Sequence, residues 1–265
     1  MSSAEHLTVG LLGAGAMGRA LLAGMARGRP AVAANALICD TVPEAVAAAI
    51  VDVGGRAADP AQVAGADVIC LAVKPGDVAG ALDSLRSSVR ADTIVVSVAA
   101  GWDLDRLSAR LPGVALVRLM PNLAVRHGAG VVALAARDLP ENARARLDEL
   151  LAPLGAVVAL PETLFPVATA LAGSGPGLVA LVAEALEEGA VGAGLGRSQA
   201  REMVAAVIAG TGALLADGGD PALLRQRVSS PGGTTVAGIA VLERGAVRAH
   251  VADALAAAAR RAGEL

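Results

Sequence analysis

The chain has 265 residues, 55% of them hydrophobic, which suits one large or two small domains with a real core. Its formal net charge of -3 leaves no basic surface for phosphate backbones, and one Trp, one Phe and no Tyr offer no platform for stacking bases, so nucleic acid is not an expected partner. Glu5 and His6 precede the first apolar run without a basic stretch, and the apolar segment after Gly177 meets Glu184, Glu187 and Glu188 early. The expectation is therefore a soluble cytoplasmic protein with no signal peptide and no membrane span.

Residues 7–12 form a short apolar run, followed by Gly13-Ala14-Gly15-Ala16-Met17-Gly18 and the amphipathic stretch 19–27. That order reads as strand, glycine turn, helix. Residues 37–39 form the next strand and end in Asp40, 22 residues after Gly18, and residues 43–51 read as a helix. This is the context in which a Gly-x-Gly-x-x-Gly turn binds a dinucleotide. Gly13 allows the tight turn, Gly15 lets a pyrophosphate approach the backbone, Gly18 lets the helix pack on the sheet, and Asp40 accepts from the adenosine ribose. Asp40 can also be read as an ordinary acid leading a helix.

Further strands are expected at residues 68–73, 93–98, 114–118, 130–134 and 156–160, with helices at 76–87, 103–109 and 140–151. Alternation of this kind predicts a parallel, doubly wound sheet. Its C-terminal rim would carry Ala72-Val73-Lys74-Pro75, then Ala99 and Gly101, then Asn122. Pro75 stops the strand so that Lys74 projects at the edge where open α/β sheets hold ligands. Lys74 is also the only lysine in a chain whose other basic residues are arginine. A compact ammonium is not interchangeable with a guanidinium, so its retention points to a ligand-facing role.

From about residue 162 the pattern becomes wholly helical, broken at 173–177, 192–196, 217–221 and 228–235. The division expected is a dinucleotide-binding domain at 1–161 and a helical substrate and dimerisation domain at 162–265. Such apolar helices would expose a large face if left alone, which implies a second copy. The break at Val228-Ser229-Ser230-Pro231-Gly232-Gly233-Thr234-Thr235 opens another helix. Proline and two glycines force a turn, the flanking hydroxyls can cap the helix, and the free N–H groups at its positive end suit a carboxylate or phosphate. A plain helix cap without ligand is the alternative.

Cys39 and Cys70 fall in strands without ligand spacing, so buried thiols are expected and no metal site. His6 and His250 read as solvated and His127 as a residue close to the site. Trp102 and Phe165 read as packing residues.

Together the residues 13–18, 72–75, 96–101, 118–122, 173–176, Glu184, 228–235 and 242–248 resemble 1-pyrroline-5-carboxylate reductase over nearly the whole length. The resemblance implies a Rossmann domain and a helical domain whose partner protomer helps complete each active site, with higher oligomers built from dimers. It implies NADH or NADPH as cofactor, bound by Gly13, Ala14, Gly15, Ala16, Met17, Gly18, Asp40, Ala72, Val73, Lys74, Pro75, Ala99 and Asn122. The absence of an arginine in 41–44 leans the choice to NADH. The substrate would be a small cyclic imino acid held by Ser230, Gly232, Gly233, Thr234 and Thr235, with Thr235 and Lys74 as the catalytic residues. Two segments depart from the family pattern. Leu123-Ala124-Val125-Arg126-His127 stands where a TPA-type sequence is usual, and Ala172 and Leu178 replace a serine and a tyrosine. These leave open a reductase of a six-membered ring, or a binding protein without turnover.

Overall fold

In the computed structural model, residues 7–137 and 139–264 are described, so His6 lies outside the described residues. Eight strands form one sheet: β1 Val9–Leu12, β2 Leu37–Cys39, β3 Arg56–Ala57, β4 Val68–Leu71, β5 Ile94–Ser97, β6 Ala115–Pro121, β7 Gly130–Ala136 and β8 Gly155–Ala159. Between them lie α1 Ala16–Met25, α2 Pro30–Ala34, α3 Pro43–Val53, α4 Pro60–Ala64, α5 Val78–Leu85, α6 Leu104–Arg110 and α7 Glu141–Leu151. The rest is helical: α8 Phe165–Ala168, α9 Gly175–Gly192, α10 Arg197–Ala216, α11 Pro221–Arg227, α12 Thr234–Arg244 and α13 Val247–Gly263.

The central strands are continuous apolar runs because both sheet faces are covered. Period-2 alternation sends Leu11, Cys70, Val96 and Val117 into one core layer with Leu21, Leu22, Met25, Leu147 and Leu150. It sends Leu12, Ile69, Leu71, Val95 and Leu116 into the other, against Val78, Leu82, Leu85, Leu104 and Leu107. The strand order is β3-β2-β1-β4-β5-β6-β7-β8. The chain thus winds outward from β1 to one edge and, after β4, to the other. A crevice must open beyond the C-terminal ends of β1 and β4, where the connections diverge.

Two expectations about the sheet need correction. It is not wholly parallel, because β7 pairs antiparallel to β6, with Arg118 opposite Ala135 and Met120 opposite Ala133. Residues 122–129 are too few for a parallel crossover, which needs about a dozen or more, so the chain reverses instead. Strand β3 was not expected at all. It is two exposed residues long and carries no hydrophobic signal.

By compactness the chain divides into one unit that runs to Gly173 and takes in the end of the chain from Ala258, and another that is Ser174–Ala257. The break expected at 173–177 is absent. Thr169–Ser174 is a turn of π-helix that continues directly into α9. Pro176 has no N–H to donate back along the helix and its ring crowds the preceding turn, so the helix widens there without stopping. The resulting run Glu162–Gly192 is long and apolar enough, by length and composition, to cross a membrane. The acidic residues from Glu184 onward therefore do not exclude a span as the sequence suggested.

Candidate active site

The glycine turn lies at the crevice. Gly13 has φ +98°, and a Cβ there would sit 2.5 Å from the backbone of Ala72, so a side chain fits neither the conformation nor the space. Its N–H donates to the Cys39 carbonyl at 2.9 Å, while the Ala72 N–H donates to Leu12 at 2.7 Å. The ends of β1, β2 and β4 are thereby tied together. A Cβ on Gly18 would lie 2.0 Å from the Gly13 carbonyl oxygen, but one on Gly15 would meet nothing within 4 Å. Gly15 is the N-cap of α1 with no side-chain cap, so the first-turn N–H groups face open space. That space and those donors fit a pyrophosphate.

Asp40 closes the far side. Its Oδ2 accepts from the Ala14 N–H at 2.7 Å and its Oδ1 from the Val42 N–H at 2.9 Å. The cleft has a volume of about 790 Å³, and Gly13, Gly15, Asp40, Ala72, Val73 and Lys74 all line it. Lys74 is exposed and is the only cation among the lining residues. Its carbonyl accepts from the Asp77 N–H at 2.9 Å, closing the tight turn Pro75–Asp77. The Pro75 carbonyl accepts from the Trp102 indole at 2.9 Å, which gives Trp102 a structural task.

Other residues of the expected cofactor set are not among those lining the cleft. Ala14 is buried and reaches Asp40 only through its N–H, Ala16 is exposed at the first position of α1, and Met17 packs against the core. Ala99 is buried, and its N–H donates to the Ser97 hydroxyl at 3.3 Å. Asn122 is buried too, and its Oδ1 caps the turn Leu123–His127 by accepting from the Ala124 N–H. Sequence reasoning missed Pro60, Gly80, Ala81 and Ser84, which also line the cleft. The available signal was the set of small residues on one face of α5. Cys39 lines it as well. Burial, with Asp40 and Asp59 nearby, pushes its thiol up, so it stays protonated and neutral.

His127 was expected close to the site, but its turn packs elsewhere. Arg126 pairs with Asp52 in the last turn of α3, holding that carboxyl below its ordinary range, and Gly128 abuts the Arg27 side chain just beyond α1. The turn thus lies at the opposite ends of those helices from Gly13. The departure at 123–127 leaves the cleft untouched. A second cavity, of about 580 Å³, opens beside Arg118. Arg118 donates to Glu162 at 2.9 Å and lies 4.5 Å over the Phe165 ring, while Glu162 also accepts from the Leu104 N–H at the start of α6. Phe165 is 1% exposed, in keeping with a packing role.

In the other unit, the segment 228–235 makes the expected turn. Gly232 has φ +70°, and the Gly233 N–H donates to the Ser230 carbonyl at 2.9 Å. A Cβ on Gly233 would lie 2.4 Å from the Ser230 hydroxyl. The expected hydroxyl capping of α12 does not occur. Gly233 is the N-cap, without a side-chain bond, and Ser229 donates back to the Arg225 carbonyl at 2.6 Å. The first turn of α12 therefore keeps its donors free for a ligand. Ser230 and Thr234 are exposed at that end, and Thr235 is half-buried.

The family model for pyrroline-5-carboxylate reductase dimerisation matches residues 162–265, and one described as NADP oxidoreductase, coenzyme F420-dependent, matches residues 8–101. The pyrroline-5-carboxylate reductase of Methanosarcina acetivorans is 33% identical over 267 residues, covering 98% of each chain. The chain belongs to the pyrroline-5-carboxylate reductase family. The Synechocystis enzyme of the same name is 39% identical over 201 residues, covering 75% of each chain. The structure of such a reductase from Coxiella burnetii superposes with a TM-score of 0.88 at 29% identity, covering 98% of both chains. The chain is accordingly an NAD(P)-dependent oxidoreductase with a Rossmann-like sheet and a helical dimerisation region.

Proposed function

We propose that this chain reduces the C=N bond of 1-pyrroline-5-carboxylate to L-proline, the last step of proline synthesis, as a homodimer that can build a higher oligomer. The observation that carries the reading is the pairing, in one chain, of an open glycine cradle at the β1/β4 switch point with a helix start whose donors nothing caps. A dinucleotide fits the first and a small carboxylate the second.

The nicotinamide cofactor supplies the hydride. The N–H groups at the start of α12, with Ser230, Gly232, Gly233 and Thr234, hold the substrate carboxylate. Thr235 places its hydroxyl at the ring nitrogen, where it can accept from the iminium N–H and donate to the lone pair that appears on reduction. The protonated imine is already electrophilic, so the residues mainly orient it and exclude water. Lys74, the cation of the cleft, acts as a catalytic residue beside the cofactor. Glycines 13, 15 and 18 with Ala14, Ala16 and Met17 form the cradle, Ala72, Val73 and Pro75 its floor, and Ala99 and Asn122 support the nicotinamide end from behind.

NADH is the preferred cofactor in this reading. Asp40 stands where a 2′-phosphate would lie, and the segment 41–44 has no cation to pair with it. We place the functional boundary at residues 161/162, and a second copy, not a bilayer, over the apolar helices of 162–265. The setting is cytoplasmic, in keeping with the two free cysteines Cys39 and Cys70. The test is oxidation of NADH with five- and six-membered cyclic imino acids in parallel. Faster turnover of the five-membered ring is expected. Preference for the six-membered ring, or no turnover of either, would overturn the assignment.

A further inference from the structure

Asp40 has more to hold than a ribose. The carbonyl of Cys39 and the carboxylate of Asp40, consecutive at the end of β2, take the consecutive donors Gly13 N–H and Ala14 N–H. The positive φ of Gly13 is the bend in the chain between those two donors. Ala14 is 1% exposed, so water is no alternative partner for its N–H. The other carboxylate oxygen takes the N–H of Val42, the N-cap residue of α3. One side chain therefore bridges the β1–α1 and β2–α3 loops, two of the loops that border the cleft.

We infer that Asp40 is a positioning residue for the glycine turn, fixing the pyrophosphate cradle through Ala14 in addition to any contact with the ribose. The inference deepens the proposed function and rests on its reading of the cleft as the cofactor site. A carboxylate is acceptor-only at both oxygens, and both neighbours here are donors. Asparagine is nearly the same shape but offers one accepting atom, so Asp40→Asn leaves either Ala14 or Val42 facing another donor. The turn loosens, and with it the first-turn N–H groups of α1 that follow Gly15. Since Ala14 is occupied by Asp40, the donors left for the pyrophosphate are those of Gly15 and the first turn of α1.

The test has two arms. In the protein without cofactor, amide hydrogen exchange at Ala14 should be slow in wild type and at least tenfold faster in Asp40→Asn; equal rates overturn the inference. In binding titrations followed by calorimetry, NADH and an NADH analogue carrying 2′,3′-dideoxyadenosine should both weaken, by roughly the same factor of about ten, in the variant. The analogue has no adenosine hydroxyl for Asp40 to accept from. A loss seen with NADH and absent with the analogue would mean that Asp40 acts on the ribose alone, and would overturn the inference. If wild type itself binds no NADH, the cofactor reading falls and takes this inference with it. That outcome differs visibly from wild type and variant binding equally, which removes this inference alone.

Discussion

The sheet region and the helical region treat their apolar side chains in opposite ways. Helix α1 buries Ala20, Leu21, Leu22 and Met25 completely or nearly so against β1 and its neighbours. From α9 to α13 only Ala200 is buried, while Leu181 is 65% exposed, Val207 58%, Leu214 56% and Leu242 55%. Burying one such side chain contributes about 1.5–3 kcal/mol, so a region that leaves this many in water lacks its main source of stability. The sheet region owns its core. In the proposed dimer the helical region would take its core from a second copy, in keeping with the match of residues 162–265 to a dimerisation family model.

The sharpest way to break that contrast is a charge on the exposed apolar face. Val207→Asp should convert the dimer to monomer in sedimentation velocity and abolish most reductase activity, because an unpaired carboxylate would be buried between copies. The same change on the outside of the sheet region, at the exposed Val51, should alter neither reading. A dimeric, active Val207→Asp enzyme would show that this face is not the interface.

The two regions should fail differently when their proposed functional residues are changed. Thr235→Ala should reduce kcat by about ten- to a hundredfold, in line with one hydrogen bond to a charged group of ~1.5–3 kcal/mol, with cofactor affinity unchanged and Thr235→Ser retaining most activity. Loss of cofactor affinity with unaltered kcat would move Thr235 away from the substrate. Lys74→Ala should lower kcat/KM more than tenfold, about 1.4 kcal/mol, with the fold intact by circular dichroism, and Lys74→Arg should be intermediate at best. An unchanged rate would make Lys74 an indifferent surface residue.

The smallest expected effect concerns strain. Ala246, between α12 and α13, has φ +53°, a conformation L-residues resist by about 1–2 kcal/mol. Glycine removes that strain but loses more chain entropy on folding, so Ala246→Gly should stabilise by roughly 0.5–1 kcal/mol in urea titration. Destabilisation would mean that the alanine methyl packs usefully in the assembled protein.

What the sequence made legible follows the strength of local signals. Strand β2 and the start of α3 were placed to the residue, because a short apolar run, Asp40 and Pro43 punctuate them clearly. The glycine turn was legible because each glycine has a separate reason, and the close contacts at Gly13 and Gly18 bear out two of them, while Gly15 faces open space. The antiparallel β7 was hidden, since apolar content says nothing about strand direction and only the short connection decides it. The turn expected around Pro176 became a π-helical turn, because a proline early in α9 is compatible with a continuing helix once the preceding turn widens. Ala81 and Ser84 could be read only from the small-residue face of α5, and Pro60, at the start of the short α4, carries no pattern that names a ligand.

The proposed dependence of the helical region on a second copy has a direct thermodynamic signature. Equilibrium urea unfolding, followed by far-ultraviolet circular dichroism, should be measured over a hundredfold range of protein concentration. Folding coupled to dimerisation predicts a midpoint that rises steadily with concentration, because association stabilises the folded state by mass action. A single midpoint that stays fixed across the whole range would show that the helical region is stable without its partner, and would contradict the account.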